Sequence, residues 1–235
     1  MDHVDLTVFI PCYNEEQNII STLDKVNKAM SLCRDISYQI LIINDCSSDG
    51  SLKLIQSYID SGNENIVLEN NDSNLGLGAS YFKAIQICNS EYFTYIPGDD
   101  VLELQDLHKI FSEAKTFDLI IPYFGLDDRR TRFRLLLSKT FTLIINFVSG
   151  LKISYYNGPV LAKTHLLKKN FPSLSGFSSQ AEFLVKSITE GAKFRQIKIN
   201  NKERDNGDSK ALSLKNFALA GYCILRILLS RLRLF

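Results

Sequence analysis

Four short polar clusters in the first hundred residues carry the side chains suited to chemistry. They are Pro11-Cys12-Tyr13-Asn14-Glu15-Glu16, Asn44-Asp45-Cys46-Ser47-Ser48-Asp49-Gly50, Asn74-Leu75-Gly76-Leu77-Gly78-Ala79 and Pro97-Gly98-Asp99-Asp100. Each ends or follows an apolar run of strand length, and in open α/β sheets ligands sit at the carboxyl ends of strands. A carboxylate there can hold a hard divalent cation, which needs few protein ligands when phosphate and water complete its shell. Glycine lets the backbone approach a ligand closely. Taken singly, each cluster has a plainer reading. Pro11 and Asn14 make a turn and a cap, Asp49-Gly50 a turn, and Asp99-Asp100 a cap for a helix at Val101. All four together at neighbouring strand ends are a far stronger signal than any one.

The elements that must position these clusters follow from periodicity. Thr7–Ile10 and Ile40–Ile43 are short, β-branched and bounded by Pro11 and Asn44-Asp45, which predicts buried central strands. Ile66–Leu68, Tyr92–Ile96 and Leu119–Ile121 continue the series. Between them Ile19, Leu23, Val26 and Met30 fall at helical spacing, as do Leu52, Ile55 and Ile59, and then Leu104, Leu107, Ile110 and Phe111. Asn14 with Gln17, and Asp49 before Leu52, read as helix starts. Alternating strands and helices predict an α/β fold with a mostly parallel sheet covered on both faces. In the second half, Phe133–Val148, Leu161–Leu167 and Ala181–Thr189 read as helices and Phe194–Ile199 as a strand. A polar loop from Asn200 to Lys210 then leads into an apolar, arginine-bearing tail, expected to be an amphipathic helical extension.

Composition excludes several classes. With 45% hydrophobic residues, 12 Gly and 5 Pro in 235, the chain is not disordered or collagenous and can bury a sizeable core. Cys12, Cys33, Cys46, Cys88 and Cys223 show no C-x-x-C spacing and read as thiols of a reducing compartment. The start does not read as a signal peptide, and no run reaches the eighteen or so apolar residues of a membrane span. His3, His108 and His165 share no spacing with one another or with cysteines and read as surface or packing residues. The net charge of +1 hides an asymmetry: residues 1–128 hold 7 Lys/Arg against 21 Asp/Glu, and residues 129–235 hold 20 against 5. The basic half suits phosphate, nucleic acid or an anionic membrane, unless the halves simply pair with each other.

In order, FIPCYNEE, IINDCSSDGS, NLGLGAS and IPGDD resemble the nucleotide-sugar domain of the family-2 glycosyltransferases, over about residues 5–125. Arg134 with Ser138, NGPVLAKTHLL, SGFSSQAEFLVK and ERDNGDSK are similar to dolichol-phosphate mannose synthases and related polyprenyl-phosphate glycosyltransferases. The resemblance implies the GT-A (Rossmann-like) fold, with a glycosyltransferase domain over 1–210 and a helical tail over 211–235. Within the domain, 1–128 would be the nucleotide-sugar half and 129–210 the acceptor half.

It also implies roles. Pro11, Tyr13, Glu15 and Asp45 would hold the nucleotide base, and Asn74, Gly76 and Gly78 would lie where the chain passes the nucleotide. Related enzymes carry D-x-D, whose second acid ligates Mg²⁺ or Mn²⁺. Here Pro97-Gly98-Asp99 lacks the first acid, so Asp99 stands as the metal ligand, with Asp100 and Glu103 as further candidates. Arg130, Arg134, Ser138, Arg204 and Lys210 would clamp the acceptor phosphate or departing diphosphate; arginine's fork suits phosphate oxygens. Asp99, Asp100, Arg204 and Lys210 are the catalytic candidates. Glu182 would sit at a helix start, where the dipole favours a carboxylate. Tyr155, Tyr156 and Asn157 read as packing residues, or as lining of the acceptor side.

The implied function is inverting transfer of a sugar from a nucleotide diphosphate sugar to a polyprenyl phosphate, without nucleic acid as a partner. Phe133–Val148 and Phe217–Leu229, flanked by arginines, fit interfacial helices and a peripheral contact at the cytoplasmic face of a membrane. Two alternatives stay open: a family-2 enzyme acting on a saccharide hydroxyl, for which Asp100, Glu103 or Glu182 must act as base, and an inactive nucleotide-sugar-binding scaffold. Sugar, base and oligomeric state are not legible.

Overall fold

The computed structural model describes residues 4–125, 132–172, 178–200 and 214–232. In chain order the elements are β1 (Leu6–Cys12), α1 (Ile19–Ser31), β2 (Tyr38–Asn44), α2 (Ser51–Asp60), β3 (Ile66–Asn70), α3 (Leu77–Ile87), β4 (Tyr92–Tyr95) and α4 (Leu104–Phe111). There follow β5 (Leu119–Phe124), α5 (Arg132–Ser149), β6 (Leu161–Lys163), α6 (Thr164–Asn170), α7 (Ser179–Thr189), β7 (Phe194–Ile199) and α8 (Leu214–Leu232).

Seven strands form one sheet in the order β3-β2-β1-β4-β6-β5-β7. Every pairing is parallel except those of β6, which runs antiparallel between β4 and β5. Successive side chains point to opposite faces and both faces are covered, which explains the near-continuous apolar runs of the central strands. Leu6, Val8, Ile10, Ile40 and Ile42 pack on one face with Leu23 and Val26 of α1, Ile55 of α2 and Leu107 and Ile110 of α4. Phe9, Leu41 and Ile43 pack on the other face with Tyr81 of α3, Ile145 of α5, Phe183 and Leu184 of α7, and Cys223 and Ile227 of α8. The expected mostly parallel sheet covered on both sides is therefore present, and the tail helix contributes to its second core.

Because β2 and β3 step outward on one side of β1 while β4 returns to the other, the order reverses between β1 and β4. That switch point is where an open sheet leaves a crevice.

Local expectations fail where short apolar runs are ambiguous between helix and strand. Leu161–Lys163, read as the start of a helix, is the antiparallel strand, and the helix begins at Thr164. Asp99-Asp100 cap no helix at Val101; α4 starts at Leu104. Asn14 does not cap α1, which begins at Ile19, and Leu52 is exposed rather than part of the α2 stripe.

Candidate active site

The loops after β1 and β2 are clasped together by side chain–backbone hydrogen bonds. Asn14 N donates to Ser47 Oγ (3.1 Å), and Ser48 N returns a bond to Asn14 Oδ1 (2.8 Å). Glu15 N donates to Ser51 Oγ (2.9 Å), Glu16 N to Asp49 Oδ2 (3.1 Å) and Gly50 N to Glu16 Oε2 (2.8 Å). Asn14 and Cys46 hold left-handed backbones, with φ of 57° and 60°. Such strain in non-glycine residues persists only where surrounding contacts over-determine it. The clasp supplies those contacts around Tyr13, which is 40% exposed after the end of β1.

Asp49 makes this clasp sensitive to acid. Burial pushes its carboxyl up, but hydrogen bonds from Ser51 and Glu16 outweigh it and hold the group below its ordinary value. A carboxylate lowered in the folded state contributes stability that is present above its unfolded pKa and lost as pH falls through the folded one. The thermal midpoint should therefore drop below about pH 4, and Asp49→Asn should flatten part of that slope. A pH–midpoint curve unchanged in the variant would remove Asp49 from the clasp's energetics.

Asp45, at the end of β2, is buried and braces the third loop. Its Oδ1 accepts from Asn71 Nδ2 (2.8 Å) and Leu75 N (3.0 Å), and its Oδ2 accepts from Gly76 N (2.8 Å). Asn71 in turn donates to Ser80 Oγ (3.1 Å) and accepts from Lys83 Nζ (3.1 Å). A carboxylate offers about four acceptor sites; among the described residues these three bonds fill two on Oδ1 and one on Oδ2. Gly76, at φ 84°, supplies the left-handed turn that starts α3. Asn74 is exposed beside it and Gly78 lies in the first turn of α3.

At the end of β4 the two acids part. Asp100, at φ 59°, turns to α1: Ser21 Oγ donates to its Oδ2 (2.9 Å) and Lys25 Nζ lies 2.7 Å from its Oδ1. Asp100 is thereby part of an ion pair on the α1 face, and Asp99 stands half-buried after the strand end. Gly98 sits so close to β1 that a Cβ there would lie 2.8 Å from the Pro11 carbonyl oxygen. Glycine is what lets the first and fourth loops meet. Among the described residues no group of three or more His, Cys, Asp and Glu is placed to hold a metal. The donor set fits a cation held by one carboxylate, with most of its shell supplied by diphosphate and water.

On the far side, Thr94 Oγ1 of β4 donates to Val160 O (3.2 Å), and Leu161 pairs with Thr94. The segment before β6 therefore runs at the carboxyl end of β4. Tyr156 is fully buried, and its OH donates to Asn146 Oδ1 (2.8 Å); Tyr155 packs on Phe124, and Asn157 is exposed. Glu182, in the first turn of α7, is pushed up by burial, against the pull of Arg226 and Lys186, and Arg226 Nη2 lies 2.8 Å from its Oε1. Ser138 is half-buried on α5, one turn beyond Arg134. Arg130, Arg204 and Lys210 lie outside the described residues. Among the described ion pairs, Lys163–Asp118 and Arg195–Glu113 join the acidic and basic halves.

Sequence reasoning missed the clasp, the Asn71–Lys83 support and the Gln180 contacts to the Tyr156 and Gly158 carbonyls. Asn14 was a signal for the first, because Asn is a residue that tolerates the left-handed region. The others join residues far apart in sequence and leave no local pattern.

Residues 7–168 match the family described as Glycosyl transferase family 2. A dolichyl-phosphate β-glucosyltransferase of Dictyostelium discoideum is 30% identical over 115 residues, 47% of this chain and 35% of that protein. An undecaprenyl-phosphate 4-deoxy-4-formamido-L-arabinose transferase of Pseudomonas fluorescens is 20% identical over 207 residues, 87% of this chain and 60% of the relative. The chain thus spans about a third of one relative and three fifths of the other. Glucosyl-3-phosphoglycerate synthase from Mycobacterium tuberculosis, crystallised with Mn²⁺, UDP-glucose and phosphoglyceric acid, superposes with a TM-score of 0.67 at 15% identity. That likeness covers 97% of this chain and 79% of that one, and it shows the shared GT-A fold. With the family match extending over more than half its length, and the strand-end motifs gathered at one crevice, the chain belongs to glycosyl transferase family 2.

Proposed function

We propose that this chain transfers a sugar from a nucleotide diphosphate sugar to a polyprenyl phosphate at the cytoplasmic face of a membrane. The observation that carries the acceptor side is the distribution of exposed large apolar residues. Phe133, Leu136, Leu143, Ile144 and Phe147 project from α5, the last 87% exposed, and Tyr222, Leu225, Leu228 and Leu229 from α8. Neither helix contains an acidic residue, and besides Arg226, which pairs with Glu182 of α7, the two carry Arg132, Arg134, Lys139, Lys215 and Arg231. No helix among the described residues is long and apolar enough to cross a membrane. An apolar, acid-free, basic surface of this kind fits an anionic leaflet. Five free cysteines fit the reducing side of that membrane.

The site's chemistry favours an acceptor that is already ionised. A saccharide hydroxyl needs a general base, and two of the three candidates are committed: Asp100 to Lys25 and Ser21, Glu182 to Arg226. A phosphate monoester needs no such base. One of its oxygens would form the bond to the sugar's anomeric carbon as the bond to the diphosphate breaks. The electron pair then leaves on the diphosphate.

Tyr13, Pro11, Glu15 and the remaining Asp45 acceptor would hold the base, and Asn74, Gly76 and Gly78 would flank the nucleotide. Asp99 would hold Mg²⁺ or Mn²⁺. The chemistry such a cation supplies is neutralisation of charge on the departing diphosphate. Arg130, Arg134, Ser138, Arg204 and Lys210 would receive the acceptor phosphate. Two of the relatives are named for polyprenyl-phosphate acceptors, which supports this reading.

Vesicle flotation tests the membrane contact. The full chain should float with vesicles containing phosphatidylglycerol and remain behind with phosphatidylcholine alone. Leu143→Glu with Phe147→Glu should abolish flotation without loss of thermal stability, because both side chains are exposed. Flotation of that variant equal to the parent's would show that this face does not meet lipid.

A further inference from the structure

Helix α8 is seated by a chain of contacts that ends beside the strand-end site. Arg226 pairs with Glu182 of α7, Cys223 Sγ donates to Ser178 O (3.3 Å), and Ser178 Oγ donates to Leu219 O (3.1 Å). At its far end Arg231 Nη1 donates to Val148 O of α5 (2.6 Å). Two residues before Glu182, Gln180 directs one amide nitrogen at two carbonyls, Tyr156 O (2.8 Å) and Gly158 O (2.7 Å). That segment has little slack: a Cβ at Gly158 would lie 2.6 Å from Pro122 O of β5. It leads through Val160, held by Thr94 Oγ1, into the pairing of β6 with β4, whose end carries Asp99. The nucleotide side is held separately, by the Asn14–Asp49 clasp and the Asp45 brace.

We propose that Gln180, Glu182 and Arg226 are positioning residues, through which α8 acts as a strut that fixes the Tyr156–Gly158 segment on the acceptor side of the site. Donor binding and acceptor placement then depend on different contacts, and seating of α8 governs only the second. The inference rests on the reading of this chain as a glycosyltransferase.

Full-length Arg226→Met, Arg226→Lys and Gln180→Met variants test it, with Ser230→Ala, at an exposed polar position outside the apolar face, as a control on the same helix. In hydrogen exchange, Arg226→Met and Gln180→Met should each speed exchange in residues 151–160 by about tenfold or more, while β1 and β2 stay protected as in the parent. UDP affinity and hydrolysis of UDP-glucose by water should be unchanged. Transfer to undecaprenyl phosphate should fall by about tenfold or more relative to that hydrolysis, the scale of a modest misplacement of a reactant. Arg226→Lys should restore most of both effects, and Ser230→Ala should match the parent. Unchanged exchange in 151–160, or UDP affinity falling in step with transfer, overturns the strut. If the parent itself does not use undecaprenyl phosphate, the acceptor reading fails, and the exchange and hydrolysis results still decide the strut.

Discussion

Asp45→Ala should lower the thermal midpoint and abolish measurable nucleotide binding together. The side chain is buried and accepts from Asn71, Leu75 and Gly76, so removing it leaves donors of the third loop unpaired. Hydrogen bonds to a charged group contribute about 1.5–3 kcal/mol each, and loop relaxation recovers part, so a net loss of about 3 kcal/mol is expected. For a chain of this size that corresponds to roughly 6–12 °C in midpoint. Asp45→Asn should be intermediate, since its amide keeps one acceptor but turns a donor toward a backbone N–H. Calorimetry with UDP, alongside a melting curve, reads both effects. If Asp45→Ala loses affinity but melts like the parent, Asp45 contacts the nucleotide without bracing the loop. If it binds UDP and melts as the parent does, neither role stands.

The second large effect is at Asp99. With Pro97 where related chains place an acid and Asp100 turned to Lys25, the proposed reading assigns to Asp99 the protein's share of a cation site at the end of β4. Asp99→Asn should remove the Mn²⁺ dependence of UDP binding and slow transfer by on the order of 100-fold or more, the scale of losing charge stabilisation in a transition state. The converse variant is informative because it is a gain. Pro97→Asp supplies a second carboxylate two residues earlier and should raise Mn²⁺ affinity, read by the paramagnetic signal of bound Mn²⁺ in the presence of UDP. Retention of full Mn²⁺ dependence in Asp99→Asn would place the cation elsewhere.

The parts of this molecule that were legible in sequence are those with a period or a fixed spacing. β1 and β2 were readable because both their faces are buried, which makes Val8–Ile10 and Ile40–Ile43 apolar without interruption. The clusters at their ends were readable as a set, because turn chemistry at every strand end is what an open sheet's ligand site requires. β6 was not, since three residues of antiparallel pairing carry no period and run straight into Thr164. Asp100 read as a further candidate ligand beside Asp99; the left-handed backbone and the reach of Lys25, neither legible in sequence, turn it to α1. Arg226, one of the tail's arginines, reaches Glu182, a pairing that depends on how α8 packs on α7 rather than on α8's own pattern.

The central claim is the transfer of a sugar to a lipid phosphate, and one assay addresses it. The full chain is incubated with radiolabelled UDP-glucose, and in parallel GDP-mannose, with Mn²⁺ and phosphatidylglycerol vesicles carrying undecaprenyl phosphate. The label partitioning into the organic phase is then counted, beside reactions in which phosphoglyceric acid or a free oligosaccharide replaces the lipid. The account predicts label in the lipid phase with at least one donor, released by mild acid as expected of a glycosyl phosphate, and none on the soluble acceptors. Label on a soluble acceptor and none in lipid would contradict it in favour of hydroxyl transfer. Tight UDP binding with no transfer or hydrolysis under any condition would make the chain a binding scaffold.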